Sequence, residues 1–467
     1  MKINPFDKLR VDTEQSRSIN PNIFKAYDIR GKYPEEINEE AVSQIGVAFG
    51  KLTKAREVIV GRDIRLSSEN LTKSLILGLN SQNIKVIDIG LCSTPAFYFA
   101  VSHYGYSAGL MVTASHLDKE YNGIKGVFKN ALPLNRKEVL KWKEITLKGK
   151  IKILSQKKNI VKKDINTEYV SNLRNFFKSV LKKYKIVMDA GNGMAGLYLG
   201  PVFKKTNLDI IYLFTNPDGD FPNRGPNSKL PENREKLVKK TLEVKADLGF
   251  TWDGDADRFL IVDSEGKLID PNFVSAFIAR YLTRNSLAKT VVVDIRTSNV
   301  VKDFAESVGG KIIQTPAWHP QVKFAMRGDP KAIFGCETSG HYIFKDFYYI
   351  DDGILASIFF LRTISTEKES LKEILNYLRK KYFILEEENF KIENKKEASK
   401  ILEMLEKYYR TGKINKIDGL RVDFPDWYFN LRLSETEPLL RLNLGADKKE
   451  IMEEKRDEIA RIITRKL

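Results

Sequence analysis

The stretch TWDGDADRF, residues 251–259, places Asp253, Asp255 and Asp257 at alternate positions among small residues. Three carboxylates so spaced can turn toward one point around a tight loop, and hard oxygen ligands of this kind suit Mg²⁺. A calcium-binding EF-hand loop is excluded, because the position that demands glycine is Arg258 and the position that demands a bidentate glutamate is Ser264. The plainer reading is an acidic turn closing the strand ADLGF, yet unpaired carboxylates packed together repel strongly without a cation. The spacing therefore favours a metal loop.

Three other stretches carry reactive or recognition groups. MVTASHLDKEYNGIKG, residues 111–126, sets Ser115 beside His116. A hydrolytic triad does not fit, since triad partners meet through the fold and the frame is not that of a G-x-S-x-G nucleophile elbow. An apolar strand ending in a Thr/Ser/His loop explains the residues equally well. GCETSGHYIF, residues 335–344, alternates Glu337, Ser339 and His341 around Gly340, so one face of an extended loop offers three polar groups suited to adjacent sugar hydroxyls. His341 alone reads equally as a structural histidine. RLSETEPLLR groups Arg432, Ser434, Thr436 and Arg441 about a turn before Pro438. This is either a phosphate cradle or a strand–turn–strand with exposed arginines.

The elements that must position these groups show a weak internal repeat. EVIVGRDIRLSSENLTKSLILGL, KIVMDAGNGMAGLYLGPVFKK and TVVVDIRTSNVVKDFAES each read as a strand ending in aspartate, a turn and a helix, and each precedes a second apolar strand. Three α/β domains with helix-covered sheets are expected, with the aspartates at strand ends where α/β ligands collect. The last hundred residues differ. Runs such as WYFNLRL and LLRLNLGA followed by an amphipathic helix predict an antiparallel sheet with helices on it, an α+β domain. The expected domains are 1–155, 156–267, 268–370 and 371–467.

Composition sets the surroundings. A chain of 467 residues is too long for one ordinary core. No segment has the uninterrupted apolar length to span a bilayer, and MKINPFDKLRVD lacks the apolar stretch of a secretory signal. Cys92 and Cys336 are the only cysteines, which offers no disulfide framework and points to the cytoplasm. The net charge of +17 favours an anionic partner. Small phosphorylated substrates suit it better than nucleic acid, because the lysines alternate with acids on helix faces and no nucleic-acid motif is present.

In this order and about a domain apart, TASH…NGIK, DGDADR, GCETSGH and RLSETEPLLR resemble the α-D-phosphohexomutases. FKAYDIRGKYP, VGRDIRLSS, DAGNGMAG and PDGDFPNRGPN look most like the phosphomannomutase/phosphoglucomutase branch. The resemblance implies four domains around a central cleft and interconversion of hexose 1- and 6-phosphates of mannose or glucose. It implies a phosphoserine at Ser115, with Mg²⁺ held by that phosphate and by Asp253, Asp255 and Asp257. Arg30 and Arg258 would offset the migrating charge, His116 would support the phosphoserine, and Lys125 and His341 would move the hydroxyl proton. Glu337 and Ser339 would hold the sugar, while Arg432, Ser434, Thr436 and Arg441 grip the phosphate that does not react. Tyr27, His319 and Lys323 complete the implied substrate contacts. A hexose 1,6-bisphosphate would be both intermediate and activator; the oligomeric state stays open.

The chain also departs from the family pattern. Leu117 and Asp118 replace an Asn-Pro pair after TASH, Glu435 replaces an asparagine in the phosphate loop, and Trp318 occupies a usual glycine position. Thr338 stands where methionine marks the mannose/glucose branch and glutamine the glucosamine branch, so glucosamine phosphate is the alternative substrate. A non-catalytic phosphosugar-binding homologue is the other reading. Retention of Ser115, the three aspartates, Arg258, Lys125 and His341 argues against it.

Overall fold

Val58–Val60, Ile186–Met188 and Val291–Val293 are apolar runs with almost no exposure on either face. That pattern belongs to a strand flanked by parallel neighbours and covered by helices. A computed structural model describes residues 19–148, 159–177, 182–434 and 437–464, and within these residues the three runs occupy equivalent places in three mixed sheets. Glu57–Arg62 lies between Lys85–Leu91 and Ala108–Val112. Lys185–Asp189 lies between Asp209–Leu213 and Leu248–Trp252, and Thr290–Asp294 between Lys311–Thr315 and Ala332–Cys336.

Each sheet continues in the same way. The last parallel strand turns back into an antiparallel one, Tyr121–Phe128, Phe259–Asp263 or Tyr342–Phe344. A further antiparallel strand follows outside it: Ile29–Lys32, Leu268–Ile269 or Ile350–Asp351. The three hairpin loops so formed, residues 113–120, 253–258 and 337–341, carry Ser115, the three aspartates and the Glu337–His341 group. The expected repeat of three similar α/β domains is therefore present, and it delivers one functional loop per repeat.

The fourth sheet is antiparallel, in the order Phe383–Ile384, Leu439–Ala446, Trp427–Leu433, Leu420–Asp423 and Lys413–Asn415, with Glu388–Lys391 also paired to Leu439–Ala446. Helices Lys395–Tyr408 and Lys449–Thr464 bury Ile401, Leu405, Ile459 and Ile463 in a core with this sheet. Its loop 434–438 is again a hairpin loop, although Glu435 and Thr436 lie outside the described residues.

The packing groups these layers unequally. One core runs through the second and third sheets and takes in one face of the first sheet through Ile59, Ile87 and Met111, with helix Thr94–His103 through Phe97, Phe99 and Val101. Helix Leu371–Lys381, placed by the sequence with the last domain, sends Ile374, Leu375 and Leu378 into this same large core. The first expected boundary, near residue 155, falls outside the described residues. Among the described residues, no helix is long and apolar enough to cross a membrane.

The C-terminal domain, with its own core, is held to the third by polar contacts. Arg421 is 1 % exposed; its guanidinium donates to the carbonyls of Ile295 (2.6 Å) and Thr297 (2.9 Å), to Asn299 Oδ1 (2.9 Å) and to Asp423. The Ala317 N–H donates to Asp418 Oδ2 at 2.9 Å, and Asn415 to Gln314 at 2.9 Å. Breaking a buried charged network by removing one member costs about 3–5 kcal/mol. Arg421→Ala is expected to speed proteolytic release of the C-terminal domain at least about tenfold while leaving digestion of the rest unchanged; limited proteolysis read by mass spectrometry checks this.

Candidate functional site

The aspartate loop hangs from a hairpin whose last pair is Trp252 with Phe259. Six residues close it, and Ala256 turns the chain at φ 66°. One oxygen from each of Asp253, Asp255 and Asp257 lies within 4.8 Å of the others, and all three residues are buried. Burial and repulsion from Asp257 and Asp255 hold the Asp253 carboxyl well above the usual carboxylate range. Lys125, on the neighbouring sheet's strand Tyr121–Phe128, places Nζ 2.7 Å from both Asp255 Oδ2 and Asp257 Oδ2. Thr94 Oγ1 donates to Asp255 at 2.5 Å. Asp255 Oδ1, by contrast, is buried with no hydrogen-bond partner. Three convergent carboxylates, one carrying an orphaned oxygen, fit a hard divalent cation.

Ser115 faces this loop. Its Oγ lies 3.2 Å from Asp253 Oδ2 and 3.3 Å from His116 Nδ1, and the residue is 2 % exposed. The backbone at Ser115 is left-handed, φ 54°, a strained conformation for a side chain that costs about 1–3 kcal/mol and recurs at functional sites. Arg65 holds the loop in that shape. Buried and paired with Asp63 at 3.1 Å, it donates to the carbonyls of Ser115, Leu117, Asp118 and Tyr121 at 2.5–2.9 Å. Four carbonyls on one guanidinium explain how Leu117 and Asp118 keep a tight loop without a proline. The two loops touch at Gly254, where an added Cβ would lie 2.6 Å from the Ser115 carbonyl oxygen. Burial and the charges of Arg258 and Arg30 hold His116 well below its usual range, hence neutral.

The third loop docks on the second through an antiparallel bridge between Arg258 and His341. His341 Nε2 lies 3.3 Å from Asp257 Oδ1, and Nδ1 lies 2.7 Å from Glu337 Oε1. Burial works against the imidazolium, but Asp257 and Glu337 on either side outweigh it and push the group up to about 9. Ser339 Oγ bonds both Glu337 and His341, so the three alternating residues share one face. His319 stacks on His341, with centroids 4.6 Å apart and planes 3° from parallel, and its Nδ1 is 2.8 Å from Asp351 Oδ2. These two histidines with Asp351 form a second group close enough for a metal. Parallel rings direct their in-plane lone pairs along separate planes, however, and Lys323 neutralises Asp351 at 2.6 Å.

In the fourth domain Arg432 and Arg441 stand directly opposite on paired strands. Like charges so placed repel unless an anion lies between or beside them. Glu387 and Glu437 partner Arg441 at 3.2 and 3.0 Å, and Ser434 Oγ accepts from it at 3.3 Å. Nε of both arginines is buried without a hydrogen-bond partner, leaving donors for a phosphate. Arg432 also lies 5.7 Å from the ring centroid of Trp318, which turns the chain at φ 90°.

Ser115, His116, Lys125, the three aspartates, Arg258, Glu337, Ser339 and His341 thus form one continuous cluster across three loops. Arg30 pairs with Asp28 at 2.7 Å; burial works against its charge, but Asp28, with smaller help from Asp255 and Asp257, holds the guanidinium above its usual range. Tyr27 accepts a hydrogen bond from Gln321 at 2.7 Å, joining the first and third domains. Lys323 is buried, with its ammonium 2.6 Å from Asp351 and 4.2 Å from the Tyr98 ring centroid. Two cations escaped the sequence reading, Arg65 and Arg296, the latter reaching Asp294 at 2.8 Å and Glu337 at 3.5 Å. A signal was present. Asp-Ile-Arg occurs at 28–30, 63–65 and 294–296, and in each triplet the aspartate pairs with the arginine two residues on.

Comparison with known proteins agrees with this arrangement. Models of the phosphoglucomutase/phosphomannomutase family match in series: alpha/beta/alpha domain I over residues 21–150, domain II over 167–266, domain III over 270–382 and the C-terminal domain over 387–462. The chain is 35 % identical over 424 residues to the phosphohexose mutases of Xanthomonas campestris pv. campestris, covering 90 % of this chain and 94 % of that one. It is 34 % identical over 456 residues to a phosphomannomutase of Vibrio cholerae, covering 94 % and 98 %. The crystal structure of a phosphoglucomutase/phosphomannomutase family protein from Burkholderia thailandensis superposes with a TM-score of 0.85 at 27 % identity, over 95 % of this chain and 97 % of that one. With its four domains matched in order and its loops assembled as above, the chain belongs to the phosphoglucomutase/phosphomannomutase family.

Proposed function

We propose that the protein is a phosphohexomutase that interconverts the 1- and 6-phosphates of mannose, glucose or both, through a phosphoserine at Ser115 and a hexose 1,6-bisphosphate intermediate. The observation that carries the reading is Ser115 Oγ, on strained backbone, 3.2 Å from the first carboxylate of the aspartate loop. Phosphoryl transfer needs positioning and charge stabilisation more than covalent activation. Asp253, Asp255 and Asp257 would hold Mg²⁺, which when bound supplies Lewis-acid neutralisation of a phosphoryl oxygen.

The protein's own groups do the rest. Arg65 keeps the Ser115 hydroxyl aimed, and Arg258 and Arg30 bring positive charge to the transferring group. His116, neutral, lies within hydrogen-bond reach of Ser115 Oγ through its Nδ1. His341 and Lys125 are the candidates for moving the proton. One takes it from the sugar hydroxyl as that oxygen accepts the phosphoryl group from Ser115, and returns it to the sugar oxygen that departs when the other phosphoryl group goes back to Ser115. Glu337 and Ser339 hold vicinal sugar hydroxyls. Arg432, Ser434 and Arg441, with Thr436, grip the distal phosphate. The sugar must turn over between half-reactions, so one set of groups serves both orientations, and trace hexose 1,6-bisphosphate would keep Ser115 phosphorylated. The buried free thiols Cys92 and Cys336 support a cytoplasmic setting.

The deciding experiment is a coupled assay with mannose, glucose and glucosamine phosphates, Mg²⁺ and trace bisphosphate. Turnover of mannose or glucose phosphate is expected, and none with any sugar refutes the reading. Ser115→Ala should stay folded, lose the phosphate mass carried by the purified protein, and lose on the order of 10³-fold in kcat. Gly254→Ala, whose Cβ would push the two loops apart, should cut kcat about 10²-fold with little change in KM. Arg432→Ala should instead raise KM about tenfold to a hundredfold, since a charged contact to the non-reacting phosphate is equal in ground and transition states. Steady-state kinetics separate the two variants.

A further inference from the structure

Trp318 satisfies no local need. It precedes helix His319–Gly328 as the N-cap, with φ 90° and ψ 129°. An N-cap is stabilising when its side chain accepts from the first N–H groups, which an indole cannot do. Positive φ is a conformation glycine adopts freely and a bulky side chain resists. The position is nonetheless built rather than loose: the preceding Ala317 N–H is anchored on Asp418, and the Trp318 carbonyl accepts from Gln321 N–H at 3.0 Å.

The ring's surroundings supply a reason. Trp318 is 38 % exposed, whereas Trp142 and Trp252 are fully buried and Trp427 is 6 % exposed. The Arg432 guanidinium, from the fourth domain, lies 5.7 Å from its centroid. The next residue along the chain, His319, stacks on His341 beside Glu337 and Ser339. The indole therefore lies against the arginine read as phosphate-binding, on the residue next in the chain to the histidine that stacks on the group read as sugar-binding. An exposed aromatic flanked by polar donors is a surface for the apolar face of a ligand whose polar groups bond around it.

Resting on the mutase reading, we infer that Trp318 is a sugar-contacting residue: its indole packs against the C–H face of the bound hexose ring, next to the phosphate held by Arg432. The contact is to the sugar body, so it distinguishes a hexose phosphate from phosphate alone. Because the other three tryptophans are buried, acrylamide quenching of intrinsic fluorescence reports chiefly on Trp318.

The test uses the intact protein with Trp318→Gly, which relieves the backbone, and Trp318→Phe, which keeps an aromatic face. Glucose 6-phosphate or mannose 6-phosphate should reduce acrylamide quenching of the unsubstituted protein, and inorganic phosphate should not. Trp318→Gly should weaken binding of the hexose phosphate roughly fivefold to tenfold, with inorganic phosphate affinity unchanged and the Phe variant close to the parent. Equal loss for hexose phosphate and inorganic phosphate would mean that the indole only braces Arg432, and no loss for either would mean that it touches nothing; each overturns the inference. The binding arms need no turnover. An unsubstituted protein that binds hexose phosphates in this way but converts none counts against the mutase reading alone.

Discussion

Three carboxylates confined within 4.8 Å of one another in a buried loop are the constraint around which the rest is arranged. Coulomb repulsion at such distances inside a protein is worth several kcal/mol per pair even with a generous effective dielectric. The loop itself supplies only Arg258. Lys125 comes from the first domain and His341 from the third, so neutralising the aspartates requires three domains to meet. The same requirement aims Ser115, because the strand that carries Lys125 is the return strand of the hairpin that carries Ser115. Charge balance and catalytic assembly are one event in this molecule.

The means of meeting that constraint is repetition. Three sheets that share the order of their four central strands each offer the loop between the last parallel strand and its antiparallel partner, and the fourth domain offers a hairpin loop of its own. A hairpin loop is anchored by ladder hydrogen bonds at both ends, which keeps short side chains such as serine and aspartate in place. In the proposed function, different residues on these loops serve as phosphoryl carrier, metal ligands, sugar contacts and hydrogen-bond donors to the distal phosphate.

Much of this could be read from the residues. Strands ending in Asp63, Asp189 and Asp294 announced themselves through β-branched runs, and DGDADR through its spacing, because both signals are local. Partners brought together across the chain were harder to see. Arg65 clasps carbonyls fifty or more residues away, Arg421 reaches across more than a hundred, and nothing near Lys323 in sequence says that it is fully enclosed. Asp189 illustrates the same limit: it sits at a strand end as expected, but its carboxylate is occupied by Arg224 at 2.9 Å, so it braces the site rather than binding a ligand. The repeated Asp-Ile-Arg triplet was the visible trace of such bracing.

The separate core of the C-terminal domain has a thermodynamic corollary. Ile401, Phe429, Leu442 and Ile459 pack within their own domain, while one continuous core spans the second and third sheets and one face of the first. Cooperativity follows shared burial, so this chain comprises at least two cooperative units of unequal size. A calorimetric enthalpy need not equal the van't Hoff value for such a molecule, and a single midpoint temperature describes its larger unit rather than the whole.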